Sequence, residues 1–168
     1  DLGHPIRRVA GLSNEALHGL IAEDEEKGGE GERSQAVLAS LLGAIEARDF
    51  DGFERSLGWI GATVAPRELI TRVIGPLLTE VGDRWHQGRI TIADEHAVSG
   101  IVRNFIGSII RLYPRRADAG GVLFATVSGE RHEFGILMLH LFAASEGVPA
   151  AYLGPDIPAE EIARTAIE

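Results

Sequence analysis

The feature that most constrains the fold is a change of period at Pro114. Upstream, apolar residues recur at helical spacing in four successive segments; downstream, a short β-type apolar run alternates with a helical one. Val37, Leu38, Leu41, Leu42 and Ile45 share a face of the first segment, with Ser34 as its cap. Asp51, three residues before Glu54, has the form of a capping box for a second segment carrying Phe53, Leu57 and Ile60. Pro66 suits the first turn of a third, whose face reads Ile70, Val73, Ile74, Leu77 and Val81 and ends at Trp85. The fourth follows Thr91 and carries Glu95, Ser99, Val102, Ile106 and Ile109. Connections of a few residues make such helices antiparallel neighbours, so residues 34–114 read as a four-helix bundle.

After a basic, then Gly-rich link, Gly121 to Val127 reads as a strand, Phe134 to Ser145 as a helix stopped by Gly147, and Val148 to Leu153 as a second strand. A further helical pattern begins at Ala159. That β-α-β-α order opens a doubly wound parallel sheet of Rossmann-like type over residues 121–168. The fold class is therefore α followed by α/β. The chain has no initiator Met and stops as a helical pattern begins, so it reads as part of a longer protein, with an α/β portion incomplete at its C-terminal end.

A net charge of -9 argues against nucleic acid being held by this segment's own field. Cys is absent, which removes disulfides and thiolate metal sites and is compatible with a cytoplasmic setting. No apolar run is long enough for a membrane span. Residues 23–33, acidic and broken by glycines, read as a flexible linker, and residues 1–22 hold a short amphipathic pattern behind Ser13.

Two places carry chemistry. Thr91 with Asp94 caps the fourth helix after the turn at Gly88, a corner that brings Trp85 and His86 near Glu95 and His96. Glu95 lies on a face otherwise suited to burial, where a carboxylate needs a partner. The second place is Glu130-x-His132-x-x-Gly135, beyond the C-terminal end of the first strand, where ligands sit in open parallel sheets. His132 can present one ring nitrogen to a metal while an acceptor on the other fixes its tautomer. Singly, each residue also fits an ordinary role, the Trp in a core and the histidines at a solvated surface. A zinc or iron site from His86, Glu95, His96 and His132 is the weaker reading, because its ligands are split between two domains.

The Trp85 to Glu95-His96 spacing, with His86 beside the Trp, resembles the helix bundle of the light-sensing, B12-dependent regulators of the CarH type, in the MerR class. Glu130-x-His132-x-x-Gly135 resembles the Asp-x-His-x-x-Gly motif of cobalamin-binding Rossmann-like domains, with Glu in place of Asp. Thr126-Val127-Ser128-Gly129-Glu130 and Tyr152-Leu153-Gly154-Pro155 match that family's strand ends.

The resemblance implies a non-enzymatic photoreceptor and transcriptional repressor that binds adenosylcobalamin. His132 would be the lower axial cobalt ligand, Trp85 would pack over the adenosyl group, Glu95 would accept from its ribose hydroxyls, and His96 would support that pocket. Ile92 and Val102 of the bundle, and Ser128, Gly129, Glu133, Gly135, Leu153 and Gly154 of the α/β part, would complete the cofactor contacts. Light would break the cobalt–carbon bond, His86 would become an upper cobalt ligand, and the bundle would shift. A homo-oligomer, tetrameric in the dark, would then come apart and release DNA held through an N-terminal domain whose tail is residues 1–22. The alternative is a corrinoid methyl carrier of a methyltransferase system, which shares the bundle and the His motif. The family's later Ser-x-Leu and Gly-Gly elements would fall beyond Glu168.

Overall fold

In a computed structural model the residues described are 30–114 and 121–167. The readings made for residues 1–29, His4 and His18 included, lie outside them. The chain divides into two compact units, Asp1–Val37 and Leu38–Glu168, and the second holds the elements that position the site.

Helix α1 (Glu30–Glu46) begins one turn upstream of Ser34, so Ser34 is within the helix and not its cap. Glu is a good helix former, and the acidic segment does not stop the helical pattern. Helix α2 (Phe50–Thr63) is capped by Asp49, whose carboxylate accepts the Gly52 N–H at 2.9 Å, two residues before the expected cap at Asp51. Pro66 opens the next helix as expected. It runs from α3 (Pro66–Glu68) through a π-helical stretch (Leu69–Ile74) into α4 (Gly75–His86). The Gly75 N–H reaches the Ile70 carbonyl, and a Cβ at Gly75 would lie 3.1 Å from that oxygen. Helix α5 (Ile92–Ile110) starts with the reciprocal box read from the sequence, the Thr91 side chain accepting from Asp94 N–H and the Asp94 side chain from Thr91 N–H.

Alternate turns of these helices supply one core: Leu41 and Ile45 of α1, Phe53 and Leu57 of α2, Leu69 and Ile74 of the π stretch, Leu77 and Val81 of α4, and Val98, Val102 and Ile106 of α5 are all fully buried or nearly so. Each such side chain contributes about 1.5–3 kcal/mol of transfer free energy. Gly61 permits the approach of α2 to α5, since a Cβ there would come within 2.5 Å of the Phe105 ring. Among the described residues no helix is long and apolar enough to cross a membrane.

Strand β1 (Val122–Val127), helix α6 (Phe134–Ser145) and strand β2 (Ala150–Ile157) follow, with α7 (Ala159–Ile167) last. The strands pair in parallel, Val122 with Ala150 and Phe124 with Tyr152; irregularities then shift the register to Ala125 with Gly154 and Val127 with Ile157. Helix α6 has the expected bounds, whereas the second strand, read as Val148 to Leu153, begins at Ala150 and continues to Ile157. Leu137 and Leu141 of α6 are buried, and His140 lies over the sheet with its ring 5.8 Å from both Phe124 and Tyr152.

Candidate functional site

The loop after β1 is fastened before it reaches its chemistry. Gly129 adopts φ +89, a conformation that favours glycine, and its N–H donates to Asp156 Oδ1 at 2.8 Å. Thr126 Oγ1 donates to the Glu130 carbonyl at 2.5 Å, and the Asp156 N–H donates to the same carbonyl at 3.1 Å. The end of β2 thereby holds the turn at Ser128-Gly129.

On this base a single oxygen, Glu130 Oε1, accepts the His132 backbone N–H at 2.7 Å and meets His132 Nδ1 at 2.6 Å. The longer Glu in place of the usual Asp therefore reaches the ring. The bond from the His132 backbone, then that from its ring, hold the Glu130 carboxyl below the usual carboxylate range. With its proton on Nδ1, the imidazole presents the Nε2 lone pair, and the ring is almost wholly exposed at 97%.

The facing wall comes from α5. Glu95, Ser99 and Arg103 recur every four residues and share a face. Ser99 Oγ donates to Glu95 Oε1 at 2.6 Å, and the other Glu95 oxygen meets His96 Nδ1. Partial burial works to raise the Glu95 pKa, but the bonds from Ser99 and His96, with the charges of His96 and Arg103, carry it below the ordinary range. These residues line a cleft of about 360 Å³ with Arg131, His132, Glu133 and Phe134. Glu133 links both walls, accepting from Arg103 Nε through one oxygen and from Tyr152 Oη at 2.6 Å through the other. Desolvation, then the Glu133 carboxylate, push the Tyr152 phenol well above its usual value.

Of the residues singled out from the sequence, the structure thus brings Glu95, His96, His132 and Glu133 to one cleft, with Glu130 directly behind His132. Trp85, His86 and Ile92 do not line it. Trp85 is 41% exposed and packs edge-on against His86 at 4.7 Å; Ile92 is exposed beside the corner. His86 Nδ1 donates to the Gly82 carbonyl at 2.7 Å, which leaves Nε2 as its open nitrogen. Val102, expected at the cofactor, is fully buried in the helical core, because it falls on the stripe of Val98 and Ile106. Gly135 opens α6 with nothing within 4 Å of a Cβ added there, Leu153 is half-buried and Gly154 buried. Arg103, Arg131, Phe134, Tyr152 and Asp156 were not singled out as site residues. Only Arg103 carried a local signal, four residues after Ser99 and eight after Glu95.

A ligand suited to this arrangement would use an imidazole Nε2 on one wall and hydrogen-bond acceptors on the other. Among the described residues no group of three or more His, Cys, Asp or Glu is gathered to cage a bare ion.

Residues 37–109 match the B12 binding domain family. The chain is 32% identical over 170 residues, 99% of its length, to the HTH-type transcriptional repressor CarH of Myxococcus xanthus, and 29% identical over 161 residues, 92% of its length, to the HTH-type transcriptional repressor CarA of that organism. It covers 56% and 53% of those proteins, so it spans about half the length of the curated relatives it matches. Among solved structures it is similar, at 18% identity and a TM-score of 0.42, to the methanol:cobalamin methyltransferase complex MtaBC from Methanosarcina barkeri, aligning over all of this chain and 67% of that one. With residues 37–109 matching the B12 binding domain and a CarH repressor aligned along almost its whole length, the chain is similar to the CarH-type B12-dependent regulators.

Proposed function

We propose that this chain is the cobalamin-sensing part of a DNA-binding transcriptional repressor in the cytoplasm, with adenosylcobalamin as its cofactor and light as the signal that ends repression. The observation that carries the reading is the Glu130–His132 pair facing Glu95 and Ser99 across one cleft. An imidazole with Nδ1 held by a carboxylate is the donor a cobalt ion takes as a single protein ligand. The cleft, at about 360 Å³, is at the small end of ligand sites and would take a part of a corrinoid cofactor and not the whole of it.

Under this reading His132 Nε2 would hold the cobalt, and Glu95, with Ser99 fixing one of its oxygens, would accept hydroxyl donors of the cofactor. His96 keeps the carboxylate ionised. Trp85, already exposed and braced by His86, offers an aromatic face to a purine, and Ile92 extends that apolar surface. His86 keeps Nε2 available for a metal. Ser128, Gly129, Gly135, Leu153 and Gly154 form the backbone cradle around the His132 loop. Bound adenosylcobalamin supplies a cobalt–carbon bond that light can break. The helical segments of residues 34–114 act as a four-helix bundle whose position depends on what fills the cleft. Residues 1–22 are the tail of the DNA-binding domain, and the tether read at residues 23–33 ends where α1 begins at Glu30; the charge of -9 leaves DNA contact to that domain. Assembly into a homo-oligomer combines several weak DNA-binding heads, a gain of about 10²–10⁴ in avidity without new contacts per head.

The test is a visible spectrum and a size-exclusion run of the adenosylcobalamin-loaded chain in the dark and after green light. A spectral change with a shift to smaller size is expected. An unchanged spectrum overturns light sensing, and an unchanged elution volume overturns the oligomeric switch.

A further inference from the structure

The Glu130–His132 contact lies within one loop and leaves open how that loop is held at a set distance from α5. Glu133 answers that. It follows His132 directly, yet its side chain is only 12% exposed where that of His132 is 97% exposed. A carboxylate drawn out of water requires partners, and here they come from two other elements: Arg103 of α5 on one oxygen and Tyr152 of β2 on the other. Glu133 also occupies the N-cap position of α6 and makes no side-chain cap bond there. Both oxygens point away from the helix it begins. Arg103 in turn stands over the Phe134 ring at 5.8 Å and continues the Glu95, Ser99 stripe. Arg103 and Tyr152 also border a larger cavity of about 700 Å³, so the three-residue clasp stands where two hollows meet.

We infer that Glu133 is a positioning residue, which sets His132 against the Glu95–Ser99 wall by clasping Arg103 and Tyr152 together. The inference rests on the cobalamin reading of the cleft for its ligand. Its mechanical part, the hold on the loop, is measurable without any ligand.

The experiment compares wild type with Glu133→Gln, Arg103→Met, the double variant and His132→Ala. Two readouts are taken: amide hydrogen exchange in the cofactor-free chain and affinity for aquocobinamide followed by its visible spectrum. Each clasp variant should speed exchange at residues 130–134 while leaving α1, α2 and α4 protected. Each should also weaken aquocobinamide binding by roughly 10-fold, the low end for outer partners of a metal-bound histidine. The double variant should be no worse than the weaker single, because the two substitutions break one contact. His132→Ala should lose the spectral change and keep the exchange pattern. Wild-type exchange and affinity in Glu133→Gln would overturn the positioning role, as would loss of protection spread evenly over the helical core. A wild-type spectrum in His132→Ala would instead overturn the cobalamin reading and leave the clasp to be judged by exchange alone.

Discussion

Glu130→Ala tests the site at its most specific contact. In the native chain Glu130 Oε1 fixes the His132 peptide at 2.7 Å and its ring Nδ1 at 2.6 Å. Without that oxygen the exposed imidazole rotates and exchanges tautomers, so a smaller fraction of molecules presents Nε2. Outer partners of a metal-bound histidine matter by about 10–100-fold in affinity, and the upper part of that range is expected because two bonds are lost together. Glu130→Gln keeps a neutral acceptor of the same reach, and its loss should lie nearer about 10-fold. Aquocobinamide is the probe, since it brings no base of its own to the cobalt, and the visible band shift on imidazole binding reports occupancy. Circular dichroism checks that the helices persist, and His132→Ala sets the floor. If Glu130→Ala binds as wild type while His132→Ala does not, the carboxylate does not tune the ligand and the account of the loop is wrong.

Asp94 accepts from Thr91 and Arg48, and those hydrogen bonds, Thr91's first, hold its pKa down to about 2 against an ordinary 3.8. A depressed carboxylate stabilises the fold above its ordinary pKa and loses that contribution as pH falls toward 2. The stability gap between wild type and Asp94→Asn, measured by urea denaturation, should therefore be full at pH 6 and shrink between pH 4 and 2; a constant gap would refute the assignment. Phe53→Ala removes a fully buried ring and should destabilise the helical part by about 3–5 kcal/mol, with loss of less than about 1 kcal/mol pointing to a core that can collapse around the gap. Trp85→Ala should weaken adenosylcobalamin by about 1.5–3 kcal/mol, roughly 10–100-fold, with little effect on methylcobalamin, because only the former has a purine to cover. Equal losses for the two cobalamins would favour a methyl carrier.

Much of the fold was legible because its signals are local. The box at Thr91 and Asp94, Pro66 at a helix start and the limits of α6 each depend on a few adjacent residues. Where two local signals compete, adjacent residues alone do not decide between them. Asp49 and Asp51 both suit a cap, and the turn at Arg48, with φ 55, selects Asp49. Pro155 argued for the end of β2, but it falls within the register shift between Gly154 and Ile157, where the ladder does not require its missing N–H. The π stretch at Leu69–Ile74 left no trace in the apolar spacing. At the site, Glu130 and His132 are two residues apart and formed a recognisable pair. The Arg103–Glu133 and Glu133–Tyr152 contacts span 30 and 19 residues, and no local pattern announces them.

The proposed function requires a site that responds to the position of the helical segments, and the two faces of α5 supply a physical basis for it. Val98, Val102 and Ile106 point into the core and fix the helix rigidly among its neighbours. Glu95, Ser99 and Arg103, on another face, meet the loop that carries His132. A displacement of α5 cannot be absorbed by its packed face, since the buried stripe moves only with the other helices. It must therefore appear on the polar face, as a changed separation between Glu95 and His132 and a strained Arg103–Glu133 contact. Under the proposed cobalamin reading, whatever fills the cleft would act on the same two walls, and ligand occupancy and helix position would be coupled in both directions.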